Sequence, residues 1–374
     1  MSPPAETLQR ITRLAPLADI VARLNGTVAP VAARDTDPVA AVGAILAADV
    51  VAARAVPSYA CALRDGWALA ADRVTDAGPY APAPLDPAPL WVEAGQPMPA
   101  GTDAVLAVDA VAATKTGAEA HASATPGEGV IAAGADVASG AILRRAGQAL
   151  RPGDVAVLAA AGIRSVSVRA PRVKIFSVAV PTRSREDTIS PLIVRAVEAE
   201  GCIAQLAQAS TLEAALTDRA SDVVIGIGGT GTGKRDAAVK TLARIGKVEL
   251  HGFGIAPGGT AAFGTVDGRA VLLLPGRLDA TLAAFLIVGR QLLARCSGKK
   301  ETALGVLLPL TKKVTSTVGL AEFVPVRRTE AGIEPLGSGD LSLQSIAQAD
   351  GWIFVPPDSE GLAAGATSEM RPFP

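Results

Sequence analysis

Apolar positions along this chain keep three different rhythms, and each predicts a different kind of structure. From residue 14 to 55 the spacing is helical: Leu17, Ile20, Val21 and Leu24 recur at helical intervals, and residues 39–53 offer a second helix. Residues 56–140 break into short Val and Ala runs divided by Pro and Gly, as in Pro79-Tyr-Ala-Pro-Ala-Pro84 and Trp91-Val-Glu-Ala-Gly95, the pattern of short strands and turns. Leu150-Arg-Pro-Gly-Asp-Val-Ala-Val-Leu-Ala-Ala-Ala-Gly162 predicts a short helix ending at its glycine. A third rhythm begins at Pro171. It predicts strands at 172–180, 221–227, 247–253 and 269–274, with helices at 190–200, 234–245 and 278–296. Strands alternating with helices of this length predict a doubly wound, mostly parallel α/β domain, which binds ligands at the carboxyl ends of its strands. The tail returns to short strands, 323–327 and 351–355, with one or two helical turns at 341–347.

The expected organisation is an N-terminal helical domain of residues 1–55 plus 141–170 and an inserted β-rich module at 56–140. An α/β domain at 171–300 and a C-terminal β module at 304–374 complete it. At 374 residues the chain is long for a single core, which agrees with several domains.

Charge and composition then exclude whole classes of function. With 35 basic against 36 acidic residues the chain lacks the basic excess of a nucleic-acid-binding protein. No uninterrupted apolar run approaches the roughly 18 residues of a membrane span; the best candidate, 278–290, carries Asp279 and Arg290. The start, MSPPAETLQRITRLAP, lacks the apolar segment of a secretory signal, so the cytoplasm is the expected location. Cys61, Cys202 and Cys296 lie far apart and His121 and His251 are isolated, which argues against a disulfide framework or a Cys/His zinc site.

The candidate chemistry lies at residues 226–240, GIGGTGTGKRDAAVK, directly after the apolar Val223-Val224-Ile225. Glycines let backbone N–H groups approach an anion, and a following helix N-terminus adds a favourable dipole. A tight strand-to-helix turn would by itself need glycine too. Three signatures overlie these letters. The Walker A reading fails because Arg235 stands where a hydroxyl should reach Mg²⁺. The dinucleotide reading, Gly226-x-Gly228-x-x-Gly231, gains from Glu249 at the position of a ribose-binding acid. It loses because a βα unit already precedes this strand. The third reading, Gly228-Gly229-Thr230-Gly231 with Arg235-Asp236, uses more of the letters: backbone donors, Thr hydroxyls and a carboxylate in the first helical turn.

This loop and its surroundings resemble the molybdopterin molybdenumtransferase family (MoeA and the E domain of gephyrin), whose central domain is shared with the molybdopterin adenylyltransferases. The loop has the adenylyltransferase form, GGTG followed by RD; the transferases usually carry GGVSxG. Ala62-Leu-Arg-Asp65-Gly66-Trp67-Ala68 resembles SAMDGYA, and Pro99-Ala-Gly-Thr-Asp103-Ala104-Val105 resembles PxGADAVV. Gly134-Ala-Asp136 with Gly147-Gln-Ala-Leu150 resembles the GED…GxxL region. Ile255-Ala-Pro257-Gly258, Phe263-Gly264 and Leu274-Pro275-Gly276 resemble KPGKP…FG…LPGNP, and Gly337-Ser338-Gly-Asp-Leu-Ser resembles the ligand-facing stretch of the C-terminal module.

The resemblance implies a MogA/MoeA-like molybdopterin-binding central domain with flanking helical and β-rich modules, an elongated subunit and a homodimer. It also implies a reaction, insertion of molybdate into adenylylated molybdopterin with Mg²⁺ assistance and release of AMP. On this analogy Asp65, Asp136 and Asp236 form the acidic set, with Asp236 holding the metal. Gly228, Gly229, Thr230, Gly231, Thr232, Gly233, Lys234 and Arg235 cradle the phosphate or pterin side. Pro275, Gly276, Arg277 and Ser338 complete the ligand contacts.

The departures are concentrated at the chemistry. TGDEL is replaced by Val178-Ala-Val-Pro181-Thr-Arg-Ser184, with acids delayed to Glu186-Asp187. The KPGKP lysines are Ala256 and Gly259, and the Asn-Pro of LPGNP is Arg277-Leu278. The paired Arg expected before Gly134 is replaced by Ile131-Ala-Ala133. Lys234, Arg235, Arg277, Arg183 and Arg185 offer replacement cations. Three activities therefore stand: the transferase; a turnover-deficient carrier that hands molybdopterin to a client molybdoenzyme; and, from the loop form, adenylyl transfer.

Overall fold

The computed structural model describes residues 9–115, 117–178, 187–207, 211–300 and 305–373. The chain divides into two compact units. One comprises Met1–Ala48, Ala146–Pro152 and Val166–Pro374, and the other Asp49–Arg145 and Gly153–Ser165.

In the first unit, α1 (Leu17–Thr27) begins behind Pro16 and buries Ile20 and Leu24, one helical turn apart. The second helix expected at 39–53 does not form. Asp37 accepts a hydrogen bond from the N–H of Val39 (2.8 Å), its carbonyl closes a turn to Ala41, and Gly43 adopts φ +85°. Ile45–Leu46 then pairs with Val168 and Arg169 as a strand. Alanine-rich spacing suited either outcome, and strand pairing decided it.

Among the described residues the α/β domain carries six strands: β1 (Arg172–Ser177), β2 (Ile203–Leu206), β3 (Val223–Ile227), β4 (Lys247–His251), β5 (Ala262–Val266) and β6 (Arg269–Leu274). Their order is β2-β1-β3-β6-β5-β4, parallel from β2 to β6 and antiparallel at β5 and β4. All five residues of β3 and five of six in β6 are buried, as expected for central strands covered on both faces. Their side chains alternate between two cores. Val223, Ile225, Ile227, Leu272 and Leu274 join Ile193, Val197 and Leu286 on one face. Val224, Val271 and Leu273 join Leu212, Leu216 and Leu242 on the other. Register places Ser177 beside Ile227 and Ile227 beside Leu274, so three parallel strands end in one row. That row is the floor of the site.

The helices are α2 (Ser190–Ala199), α3 (Leu212–Thr217), α4 (Ala238–Ile245) and α5 (Leu278–Ser297). Helix α4 starts at Ala238, not at residue 234, because the preceding residues close a loop of their own. Helix α5 has the length and hydropathy to cross a membrane, but 78% of its apolar window is buried inside the protein, and it contains a π-helical turn at Phe285–Gly289. It is a core helix.

The C-terminal region centres on strand Ala321–Thr329, paired antiparallel with Gly351–Val355 and Gly332–Pro335. Its first residues also pair in parallel with Ile255–Ala256, tying this region to the loop that follows β4.

The second unit is built of short sheets. Gly66–Leu69 lies between Leu90–Val92 and Ala104–Leu106, over a core of Leu69, Val74, Leu85 and Leu106. Gly66 is obligatory there, since a Cβ would lie 2.1 Å from the carbonyl oxygen of Leu106.

Candidate functional site

The glycines at the end of β3 have two different jobs. Gly228 and Gly229 take φ values of +97° and +69°, the left-handed region open to glycine at little cost. The N–H of Gly228 donates to the carbonyl of Leu274 (2.9 Å), and Gly276 packs onto Gly228, so the loops after β3 and β6 are joined. Gly231 and Gly233 have no such φ. A Cβ at either would meet the Asp236 carboxylate, at 2.7 and 2.9 Å. That carboxylate accepts the N–H of Gly233 (2.9 Å). Asp236 therefore belongs to the loop, before the helix, and not to the first helical turn expected from sequence.

Loop and helix are held from behind by Gln9, a residue 5% exposed. Its Nε2 donates to the carbonyls of Gly229 (3.1 Å) and Gly231 (2.7 Å), and its Oε1 accepts from the N–H groups of Val239 (2.9 Å) and Lys240 (3.1 Å). The first turn of a helix leaves amides without intrahelical partners; here Gln9 takes two of them. These amides are committed to a side chain, contrary to the expectation that this helix end is open to an anion. Thr230 is equally engaged: its hydroxyl lies 3.0 Å from that of Thr260, and His251 Nε2 lies 3.0 Å from its carbonyl oxygen.

In front of the loop is a cleft of about 890 Å³, within the usual range for small-molecule sites. Its walls come from the ends of β1, β3 and β6, from residues 255–260, and from Gly339 and Asp340 of the C-terminal region. Asp187 lines it after β1 and accepts the N–H groups of Ile189 (3.2 Å) and Ser190 (3.0 Å) at the start of α2. Burial pushes the Asp187 carboxyl up, but Ser190 and the N–H of Ile189 outweigh it and hold the group below the usual carboxylate range. Arg277 lines the cleft beside β6; hydrogen bonding to Asp279, then the charges of Asp279 and Asp340, raise its pKa. Among the described residues the lining charges are Arg277 against Asp187, Asp236 and Asp340.

Of the residues singled out from sequence, Gly228, Gly229, Thr230, Gly231, Asp236, Pro275, Gly276 and Arg277 line this cleft together. Thr232, Gly233, Lys234 and Arg235 are exposed on the same loop and are not among the lining residues. Ser338 is exposed next to the lining Gly339. Asp65 and Asp136 belong to the second unit, where Asp65 accepts the N–H of Ala94 (2.8 Å) and Asp136 is exposed. Arg183, Arg185 and Glu186 lie outside the described residues. Ala256 and Gly259, which replace the lysines of the resembling motif, both line the cleft. Sequence reasoning passed over Gln9, Thr260, His251 and Asp340. Thr260 sits directly after the Pro257-Gly258-Gly259 segment and carried a signal; Gln9 carried none. Among the described residues no three His, Cys, Asp or Glu side chains stand together as a metal cage. Asp187 and Asp236 suit instead the mode in which one or two carboxylates share Mg²⁺ with substrate phosphate oxygens.

Three stretches of the chain match known families. Residues 3–162 match the MoeA N-terminal region (domains I and II), residues 173–295 the "Probable molybdopterin binding domain", and residues 308–373 the MoeA C-terminal region (domain IV). A Methanocaldococcus jannaschii protein named for molybdopterin biosynthesis is 27% identical over 371 residues, covering 89% of this chain and 90% of its own. Molybdopterin molybdenumtransferase 2 of Mycobacterium tuberculosis is 25% identical over 378 residues, covering 88% and 92%. The crystal structure of a molybdopterin biosynthesis MoeA protein from Pyrococcus horikoshii shares the fold, with a TM-score of 0.78 at 24% identity over 97% of this chain and 100% of that one. With the three regions matched in order along one chain, the protein belongs to the MoeA family of molybdopterin molybdenumtransferases, proteins of molybdenum-cofactor biosynthesis.

Proposed function

We propose that this protein inserts molybdate into adenylylated molybdopterin and releases AMP. The observation that carries the reading is the row of three strand ends, Ser177, Ile227 and Leu274, under a cleft of about 890 Å³ with a left-handed glycine pair at its centre. On this reading the loop of Gly228 to Gly231 brings backbone close to the ligand, and the small residues Ala256, Gly258 and Gly259 leave room for the pterin. Asp187 and Asp236 would hold Mg²⁺ together with pyrophosphate oxygens. When bound, that ion neutralises the phosphoanhydride and makes its phosphorus more electrophilic. The chain's own residues orient the two substrates and hold the dithiolene near the oxyanion. Proximity of this kind removes entropy from the barrier. The protein would work as a homodimer and pass its product to a molybdoenzyme; a monomer mass by sedimentation would remove the dimer.

The test is direct. Purified protein is incubated with adenylylated molybdopterin, molybdate and Mg²⁺, AMP is measured by chromatography, and active cofactor by reconstitution of an apo-molybdoenzyme. Absence of both AMP release and ligand binding would defeat the proposal.

A second reading, a molybdopterin carrier without turnover, draws on a specific feature. Arg277 is the one cation lining the cleft among the described residues, and it is already engaged by Asp279 and Asp340. Tight pterin binding with no AMP release would favour the carrier. Adenylyl transfer rests on the loop letters alone, and would show as Mg-ATP-dependent adenylylation of molybdopterin.

A further inference from the structure

One guanidinium in this cleft faces two carboxylates that treat it very differently. Arg277 donates through Nε to Asp279 Oδ1 (3.1 Å) and through Nη2 to Asp279 Oδ2 (2.8 Å), a forked pair that fixes the plane of the group. Asp279 is buried, 3% exposed, and also accepts the N–H of Leu341 (3.0 Å). This pair is part of the scaffold. The other edge of the guanidinium is different. Its Nη1 lies 3.6 Å from Asp340 Oδ1, beyond hydrogen-bonding reach, and the Asp340 side chain is 85% exposed. Asp340 has no hydrogen bond among the described residues, while the loop beneath it is fastened on both sides. Gly339 donates to the buried Glu322 (2.7 Å) and Leu341 to Asp279.

The surroundings give that open edge a meaning. Arg277 and Asp340 both line the cleft, and so do Ala256 and Gly259, which contribute no charge. A forked, always-charged donor with one edge anchored and the other facing the cavity suits a tetrahedral oxyanion, because its orientation is set before the ligand arrives. A carboxylate poised at ion-pair distance, without hydrogen bonds, is the easiest partner for such an anion to displace.

We propose that Arg277, oriented by Asp279, is the oxyanion-binding residue of this cleft, and that Asp340 is an intramolecular competitor that yields the Nη1 edge when a metalate or phosphate group binds. The proposal rests on the cleft being the substrate site. An exposed ion pair of this separation contributes little, so its removal strengthens oxyanion binding by about two- to fivefold at low ionic strength.

The experiment titrates the full-length protein with molybdate alone and, separately, with inorganic phosphate alone, by calorimetry at low salt. Asp340→Asn, a change at an exposed side chain, is expected to tighten binding of at least one anion by that factor, and 0.5 M salt to erase the gain. The anion that responds identifies the source: molybdate alone points to the metal substrate, and phosphate alone to the pterin phosphate. Arg277→Gln is expected to abolish binding of the responding anion, and Asp340→Asn to give no gain in that background. An equal gain with and without Arg277, or no gain for either anion in Asp340→Asn alone, overturns the proposal. Should Arg277→Gln not fold, Arg277→Lys keeps the charge without the fork and should bind at least tenfold more weakly than wild type. AMP release is scored separately, so loss of the transferase reading and loss of this one are distinguishable.

Discussion

Replacing Gln9 by alanine removes four hydrogen bonds that join the N-terminal segment to the glycine loop and to α4. The carbonyl of Gly229 keeps a partner in the N–H of Ala238 (3.0 Å), but the carbonyl of Gly231 and the amides of Val239 and Lys240 lose theirs. Each net hydrogen bond contributes about 0.5–1.5 kcal/mol, so three lost partners amount to about 2–4 kcal/mol, with the lower end holding if water fills the gap. A loss of about 2 kcal/mol raises the opening equilibrium of this region by a factor of about 30. Global melting is a poor measure in a chain of several domains, because unfolding there is not two-state. Amide hydrogen exchange is the better assay. Peptides covering residues 229–240 should lose about tenfold or more in protection, while those covering Gly351–Val355 stay unchanged. Gln9→Glu keeps an acceptor for the two amides and loses the donor to the carbonyls, so an intermediate loss is expected. Wild-type exchange across 229–240 in Gln9→Ala would refute the claim that Gln9 sets the loop.

Gly229→Ala places a Cβ at φ +69° and 3.3 Å from both Ala238 Cβ and Val178 Cγ1, so a destabilisation of about 1–2 kcal/mol is expected, with weakened pterin binding read by fluorescence titration. Asp236→Ala removes the acceptor of the Gly233 N–H, and Mg²⁺-dependent ligand affinity should fall about tenfold; unchanged affinity would take Asp236 out of the site. For Asp279, burial pushes the carboxyl up, but the Arg277 hydrogen bonds and the N–H groups of Leu341 and Ala280 hold it below its ordinary value. A depressed folded-state pKa gives stability that is present above the unfolded value, near pH 4, and lost as pH falls through the folded value. Between pH 6 and pH 3, amide protection of peptides covering Leu278–Ala284, corrected for intrinsic exchange, should therefore fall further in wild type than in Asp279→Asn, and parallel curves would show that this carboxylate is not responsible.

Much of the scaffold is legible without coordinates, because local order dominates it. The unbroken apolar runs of β3 and β6 can satisfy themselves only as strands covered on both faces, and Gly228-Gly229 marks a turn that L-residues avoid. Strand β5 was not legible: Ala262-Phe263-Gly264-Thr265-Val266 is short, and its identity comes from antiparallel pairing with β6 on one side and β4 on the other. The strand at Ile45–Leu46 replaced an expected helix for the same reason. Pattern fixes a strand's interior better than its partners.

What the amino-acid order by itself determined is the α/β scaffold, the strand end where the glycines lie, and the family to which the motifs point. Only tertiary structure decided what the candidate groups do there. Gln9 reaches the loop across 220 residues of chain, Asp236 turns back onto its own glycines, and Asp340 comes from the C-terminal region to face Arg277. The physical reason is range. Periodicity and glycine preference act over a few neighbouring residues, whereas the partner of a charge or a helix amide is set by whichever distant segment the packed core brings alongside.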